Sequence, residues 1–280
     1  MNNIITYTNH QGRSITFGDD PLNYFKHGLF DYEWSYSERN GRVSSFDKPL
    51  QEKDFPVGVF AETEEEGLAA RNAIYEVADV DVMMRKPGTL RIGEWELLCY
   101  IIRSQADMYW ISDKICELHL TVLAEKPNWI RKRTKQFSFR SEEAEKSDFL
   151  NYPYNYPYNY TRRWTTQKII NESMAPCDFI LRIYGVAEDP YVMIGDNLYQ
   201  VNVTVPNGSR LEINSREQTI EIIDSVGRIT NAYDARKLGK KGRGNYIFEK
   251  IPVGYSAVLW ANDFIFDLVL IEERGVPEWE

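Results

Sequence analysis

Residues 198–224 read LYQVNVTVPNGSRLEINSREQTIEIID. Three runs in it, 198–205, 210–215 and 219–224, alternate apolar with polar side chains, and β-branched or aromatic residues fill many of the apolar places. A period of two is the signature of a strand with one face buried. Asn207-Gly208 separates the first two runs, and such a dipeptide turns the chain without steric penalty. The pattern extends outward in both directions. FILRIYG (179–185) precedes it, and YSAVLWA (255–261) and FIFDLVLI (264–271) follow, with turn signals at Gly227, Gly239 to Gly244, Pro252 to Gly254 and Asn262-Asp263. Short strands at close spacing with this punctuation predict a β-sandwich after residue 165.

The first half is also β-rich. Ile5 and Tyr7, then Ile15 and Phe17, alternate with polar neighbours around a turn at Asn9–Gly12, which predicts an opening hairpin. Further strands are expected at 95–103 and 115–124; in the second, Cys116, Leu118, Leu120 and Val122 share one face and Glu117, His119 and Thr121 the other. Between them lies one helix. Thr63-Glu64-Glu65-Glu66 fits a capping box, and Ala70, Ala73, Ile74 and Val77 follow at the spacing of a single apolar stripe. The expected architecture is mainly β in two parts: an N-terminal domain over 1–148, a Tyr/Pro-rich joint over 149–165 and a C-terminal β-sandwich over 166–280.

Composition narrows the function. The chain has 280 residues and a net charge of −9; residues 1–150 carry −6 and residues 151–280 carry −3. Neither half has the basic excess that binding a phosphate backbone demands, so nucleic acid is a poor ligand for it. Three cysteines, Cys99, Cys116 and Cys177, without CxxC spacing suggest buried thiols in a reducing compartment rather than disulfides or zinc. The N-terminus lacks the pattern of a secretion signal, and no apolar run is long enough to span a bilayer, so neither export nor a membrane partner is expected.

Motifs for chemistry are weak. His10, His27 and His119 form no metal-binding spacing. Gly254-Tyr255-Ser256-Ala257-Val258 begins like a nucleophile elbow but has valine where the tight turn needs glycine. The loop 238–245, LGKKGRGN, has the glycines of an anion cradle without a phosphate-binding order, and reads best as a solvated hairpin loop. Arg131, Lys132, Arg133 and Lys135 precede Phe137 and Phe139, which suits a backbone-gripping strand, an intersubunit charge contact or a protected sheet edge. No catalytic residue, metal ligand or cofactor is assigned.

The stretch 151–160, NYPYNYPYNY, repeats Asn-Tyr-Pro-Tyr. Pro153 and Pro157 fix their own φ and push Tyr152 and Tyr156 into extended conformations, so the segment is expected to be stiff. A four-residue repeat on a three-residue helix turns its tyrosines around the axis and spoils a one-sided stacking platform. Tyr152, Pro153, Tyr154, Tyr156, Pro157, Tyr158 and Tyr160 are therefore read as an interdomain strap packed on its flanking domains.

Three features resemble one known family: the opening IITYTNHQGRSITFGDD, the Tyr-Pro repeats, and the ending FEKIPVGYSAVLWANDFIFDLVLIEERGVPEW with Ile251-Pro252, Gly254, Trp260, Phe264, Phe266-Asp267-Leu268 and EERGVPEW. In order and over the whole chain they are similar to the distal tail proteins of siphophages (Dit-like components), and the resemblance implies a prophage of a Gram-positive host as the source. The resemblance implies an N-terminal β-sandwich with a helix and an extended hairpin, and a galectin-like C-terminal β-sandwich. It implies a non-catalytic virion component of the tail tip, made in the host cytoplasm. Its expected partners are itself, as a homohexamer, the tail tube protein, the baseplate hub or tail-associated lysin, and receptor-binding proteins. A carbohydrate-binding β-sandwich protein is the alternative; a glycoside hydrolase built on two of the 42 acidic residues is a distant third.

Overall fold

The computed structural model describes residues 4–106, 112, 114–138, 167–261 and 263–277. It is mainly β, and the chain divides into two units, residues 1–131 with 273–280, and residues 132–272. The joint 149–165 and its Tyr/Pro strap lie outside the described residues.

The first unit begins with the expected hairpin, β1 (Ile5–Thr8) and β2 (Ser14–Phe17), in which Ile5 faces Phe17 and Tyr7 faces Ile15. Next come β3 (Leu22–Tyr24), β4 (Ser35–Arg39), β5 (Arg42–Asp47) and β6 (Gln51–Phe60). Helix α1 (Glu64–Met84) precedes β7 (Gly88–Ile92), β8 (Trp95–Ala106), β9 (Ile115–Ala124) and β10 (Trp129–Phe137), the last crossing into the second unit. One sheet runs β8-β7-β1-β2 and the other β3-β6-β9-β8, so β8 is shared. A bulge between Ile101 and Arg103 re-registers β8 against β9.

The capping expectation is met with a shift. The Thr63 hydroxyl accepts from the Glu66 amide at 3.1 Å, but the Glu66 carboxylate reaches back to the amide of Glu62, one residue before the cap. The helix buries Ala70, Ile74, Val77 and Ala78 and packs on β2, β6 and β8; Ala73 is only half-buried, at the rim of the stripe. It ends at Arg85, whose left-handed φ of 53° closes the last turn before Pro87. The core of this unit centres on Tyr7, Phe17, Phe55, Leu120 and Trp129.

The second unit contains β11 (Gln167–Asn171), β12 (Asp178–Tyr184), β13 (Ala187–Glu188), β14 (Tyr191–Ile194), β15 (Asn197–Gln200), β16 (Thr204–Val205), β17 (Arg210–Asn214), β18 (Thr219–Ile223), β19 (Ile229–Asn231), β20 (Gly254–Trp260) and β21 (Phe266–Arg274). Strand β21 crosses back, so Glu273 onward groups with the first unit. Two antiparallel sheets, β19-β18-β17-β12-β21 and β11-β20-β14-β15, bury a core around Phe179, Tyr199, Trp260 and Phe266. Phe137 stacks on Phe266 with ring centres 4.7 Å apart, and Trp260 meets both edge-on.

The run 198–205 is not one strand. It breaks into β15 and β16 where Val201 bridges to Arg236 and the Asn202 amide donates to the Ala235 carbonyl. In the 264–271 run the strand begins only at Phe266; ahead of it the Ile265 carbonyl accepts from the Tyr184 amide at 3.0 Å and the Phe264 carbonyl from the Trp260 indole at 3.2 Å.

Candidate assembly surface

The motifs weighed for chemistry are absorbed into the fold. Ser256 is buried inside β20 and a turn then a strand follow it, which is no elbow geometry. The glycine loop turns its amides inward: the Lys240 amide donates to Asn245 Oδ1 and the Gly242 amide to the Glu249 carboxylate at 2.8 Å. It is more than a solvated turn, because the Gly244 carbonyl accepts from the Leu198 amide and Asn197 pairs with the Tyr246 backbone, covering the edge of β15. Beneath it is a cavity of about 500 Å³ lined by Ile194, Asp196, Tyr199, Lys241, Glu249 and Lys250. Tyr199 already donates to the Glu249 carbonyl and Lys250 to Asp178, so these two polar groups of the lining are held by the protein.

The basic run is likewise spent within the units. Arg131 lies over the Trp95 ring at 4.7 Å beside Glu94, Arg133 pairs with Glu172, and Lys135 donates to the Lys168 carbonyl. His119 stands 3.6 Å from both Asp54 and Glu117 on the polar face of β9. Among the described residues no three His, Cys, Asp or Glu side chains are placed to share a metal ion, and no helix is long and apolar enough to cross a membrane. Cys99, Cys116 and Cys177 are buried free thiols; burial pushes Cys177 up to about 11 and Cys99 higher still, so neither is a ready nucleophile.

A buried polar cluster around Asp81 holds the first hairpin to the helix. Asp81 is fully buried near the C-terminal end of α1, where the helix dipole disfavours a carboxylate. It is compensated by the Tyr7 phenol at 2.6 Å, the His10 amide at 3.0 Å and His10 Nδ1 at 2.5 Å, while Asn9 donates to the Val77 carbonyl. Burial first, and the Asp81 hydrogen bond second, hold the Tyr7 phenol far above the usual tyrosine range.

The surface that stands apart is the hairpin β4–β5, spanning 34-WSYSERNGRVSSF-46. Its turn is Asn40-Gly41, with φ of 55° and 71°, the doubly left-handed geometry that matches strand twist. Tyr36 pairs with Phe46 across the ladder, Trp34 meets Phe46 edge-on, and Val43 faces Glu38, so one face is aromatic and apolar. Ser35, Ser37, Arg39, Arg42, Ser45 and Asp47 form the other face. Alternation of this kind ordinarily marks a half-buried hairpin, yet every residue of both strands is exposed: Tyr36 at 65%, Phe46 at 62% and, just before β4, Trp34 at 50%.

The hairpin is nevertheless anchored. Lys48 lies 4.6 Å over the Trp34 ring and 5.6 Å over Tyr32, and donates to Asn128 Oδ1 at 2.6 Å. Gln51 donates to the Glu33 carbonyl, and Lys53, buried beneath, to the Asp31 carbonyl. Burial holds both lysines below the usual range, with Glu273 partly offsetting this at Lys48 and Asp31 at Lys53. Residue-level reading passed over this element, although Asn-Gly flanked by alternating aromatics is a strong short-range hairpin signal; the extended hairpin entered only through the family resemblance.

No protein-family model matches the chain, and no curated protein does. Solved structures do. The chain is similar to a component of the phage P2 baseplate in its activated conformation, with calcium (TM-score 0.60, 10% identity, 98% of this chain and 99% of that one). The strontium form of the p2 baseplate gives the same values. The crystal structure of SPP1 Dit, described as a hub adsorption apparatus of phages infecting Gram-positive bacteria, matches at TM-score 0.57 and 10% identity over 96% of this chain and 99% of that one. The fold is thus that of phage baseplate components. More narrowly it is a Dit-like fold, mainly β and matched over nearly the whole chain.

Proposed function

We propose that the chain is a structural, non-catalytic component of a siphophage tail tip, forming a hexameric ring that joins the tail tube to the baseplate hub and receptor-binding proteins. The observation that carries this reading is the hairpin β4–β5: an anchored base from which Tyr36 and Phe46 project with well over half of each residue exposed. Isolated two-stranded hairpins are marginal in water, so an exposed aromatic one fits a surface completed by assembly. The Dit-like fold supplies the context for that assembly. Native mass measurement with negative-stain imaging tests it: a closed six-fold ring with a central channel is expected, alone or on a tail-tube end. A chain that stays monomeric in both settings would contradict it.

A further inference from the structure

The second unit carries an apolar surface outside its core. In the sheet β11-β20-β14-β15, Ile169, Val258, Ile194 and Tyr199 belong to the buried core of the sandwich. The alternate positions point outward, and the registers set them side by side: Ile170 beside Tyr255, Leu259 beside Met193 and Met193 beside Leu198. Tyr255 is 76% exposed and Ile170 42%. Lys168 is the one charge among the outward side chains of these four strands. The solvent face of an antiparallel sheet is ordinarily polar, so an apolar one marks a surface that something covers.

The chain itself supplies a matching segment. NYPYNYPYNY (151–160) has five tyrosines, two prolines and no charge, and only residues 161–166 separate it from Gln167, where β11 begins at the edge of this sheet. On its other side Phe137 also packs in the core of the second unit. Six extended residues reach about 20 Å, enough for the stretch to turn back over the sheet. The dimensions agree. In a polyproline helix, residues six apart share a side and stand about 19 Å apart, which pairs Tyr154 with Tyr160. From Ile170 to Leu198 the outer face crosses four strands with four residues of stagger, a diagonal of about 20 Å. A sugar fits this face less well, because it needs several placed hydrogen-bonding groups.

We propose that residues 151–160 lie across the outer face of β11-β20-β14-β15 in their own chain, with tyrosine and proline rings against Tyr255, Leu259, Met193 and Leu198. Pro153 and Pro157 restrict the segment to extended forms beforehand, which lowers the conformational entropy lost on docking. The contact lies within one chain, so it holds whether or not the chain forms a ring.

Disulfide trapping in the full chain tests it. Tyr160→Cys is combined with Tyr255→Cys, or with Thr230→Cys as a control on β19 of the opposite sheet; Tyr255 and Thr230 are exposed, and the native thiols are buried. Under mild oxidation at high dilution, an internal cross-link in the monomer is expected with Tyr255→Cys and not with Thr230→Cys. Chymotrypsin gives a second readout, since it cuts after Tyr154, Tyr158 and Tyr160 but not before proline. Tyr255→Glu, at an exposed site, should speed those cuts about ten-fold with the calorimetric midpoint of the second unit unchanged. Equal cross-linking at the two positions, cross-links found only between chains, or cutting rates that Tyr255→Glu leaves unchanged would each overturn the contact.

Discussion

Gly88 shows how tightly the His10–Asp81–Tyr7 cluster is built. A Cβ at this position would collide with both the Asp81 carboxylate and the Tyr7 phenol, at a place where neither can withdraw without losing a buried partner. Gly88→Ala is therefore expected to destabilise the first unit by about 3 kcal/mol, read as a fall in denaturation midpoint, whereas Gly93→Ala meets no atom and is opposed only by its backbone φ of 57°. Titration adds a second expectation. His27 sits among Tyr24, Phe30 and Phe55, and burial holds its pKa below the ordinary value. The unfolded chain then takes up this proton first, so stability should fall as pH drops below about 6.5. Tyr7 and Tyr199 are raised by burial, so the unfolded chain releases those protons first and stability should fall again above about pH 10. Thermal midpoints across pH, with His27→Phe losing part of the acid limb, check both signs.

At the scale of elements, local signals and local structure agree best where one residue satisfies the backbone. Thr63 caps α1 as its sequence indicates, and Thr63→Ala should lower stability by about 1 kcal/mol in chemical denaturation without altering assembly. The opening hairpin and the strands beginning at Trp95 and Ile115 were legible because their alternation coincides with real burial. Others were not legible for physical reasons. Strand β6 contains Pro56 and Gly58, residues that argue against a strand, yet Gly58 is required because Phe25 and Phe60 close over it. Strand β10 looks like a basic patch until its partners appear: Trp95, Glu94 and Glu172 come from distant positions in the chain. The hairpin β4–β5 has the opposite character, a pattern of burial with no burial in the single chain.

For the molecule as a whole, the two hydrophobic cores share no residue, one ending at Trp129 and the other beginning at Phe137. Each unit should thus have its own unfolding transition. Leu211→Ala, at a fully buried site in the second, is expected to lower that unit's stability by about 2–5 kcal/mol, while a calorimetric scan shows the first unit's transition little moved. What the sequence by itself determined was the class: a mainly β chain with one capped helix, because alternation, turn residues and caps act over a few residues and need no distant partner. What only the tertiary structure decided was which of these surfaces stay open. Burial depends on what packs from elsewhere in the chain, so the basic run and the glycine loop proved to be engaged within their own units, and the aromatic hairpin proved exposed.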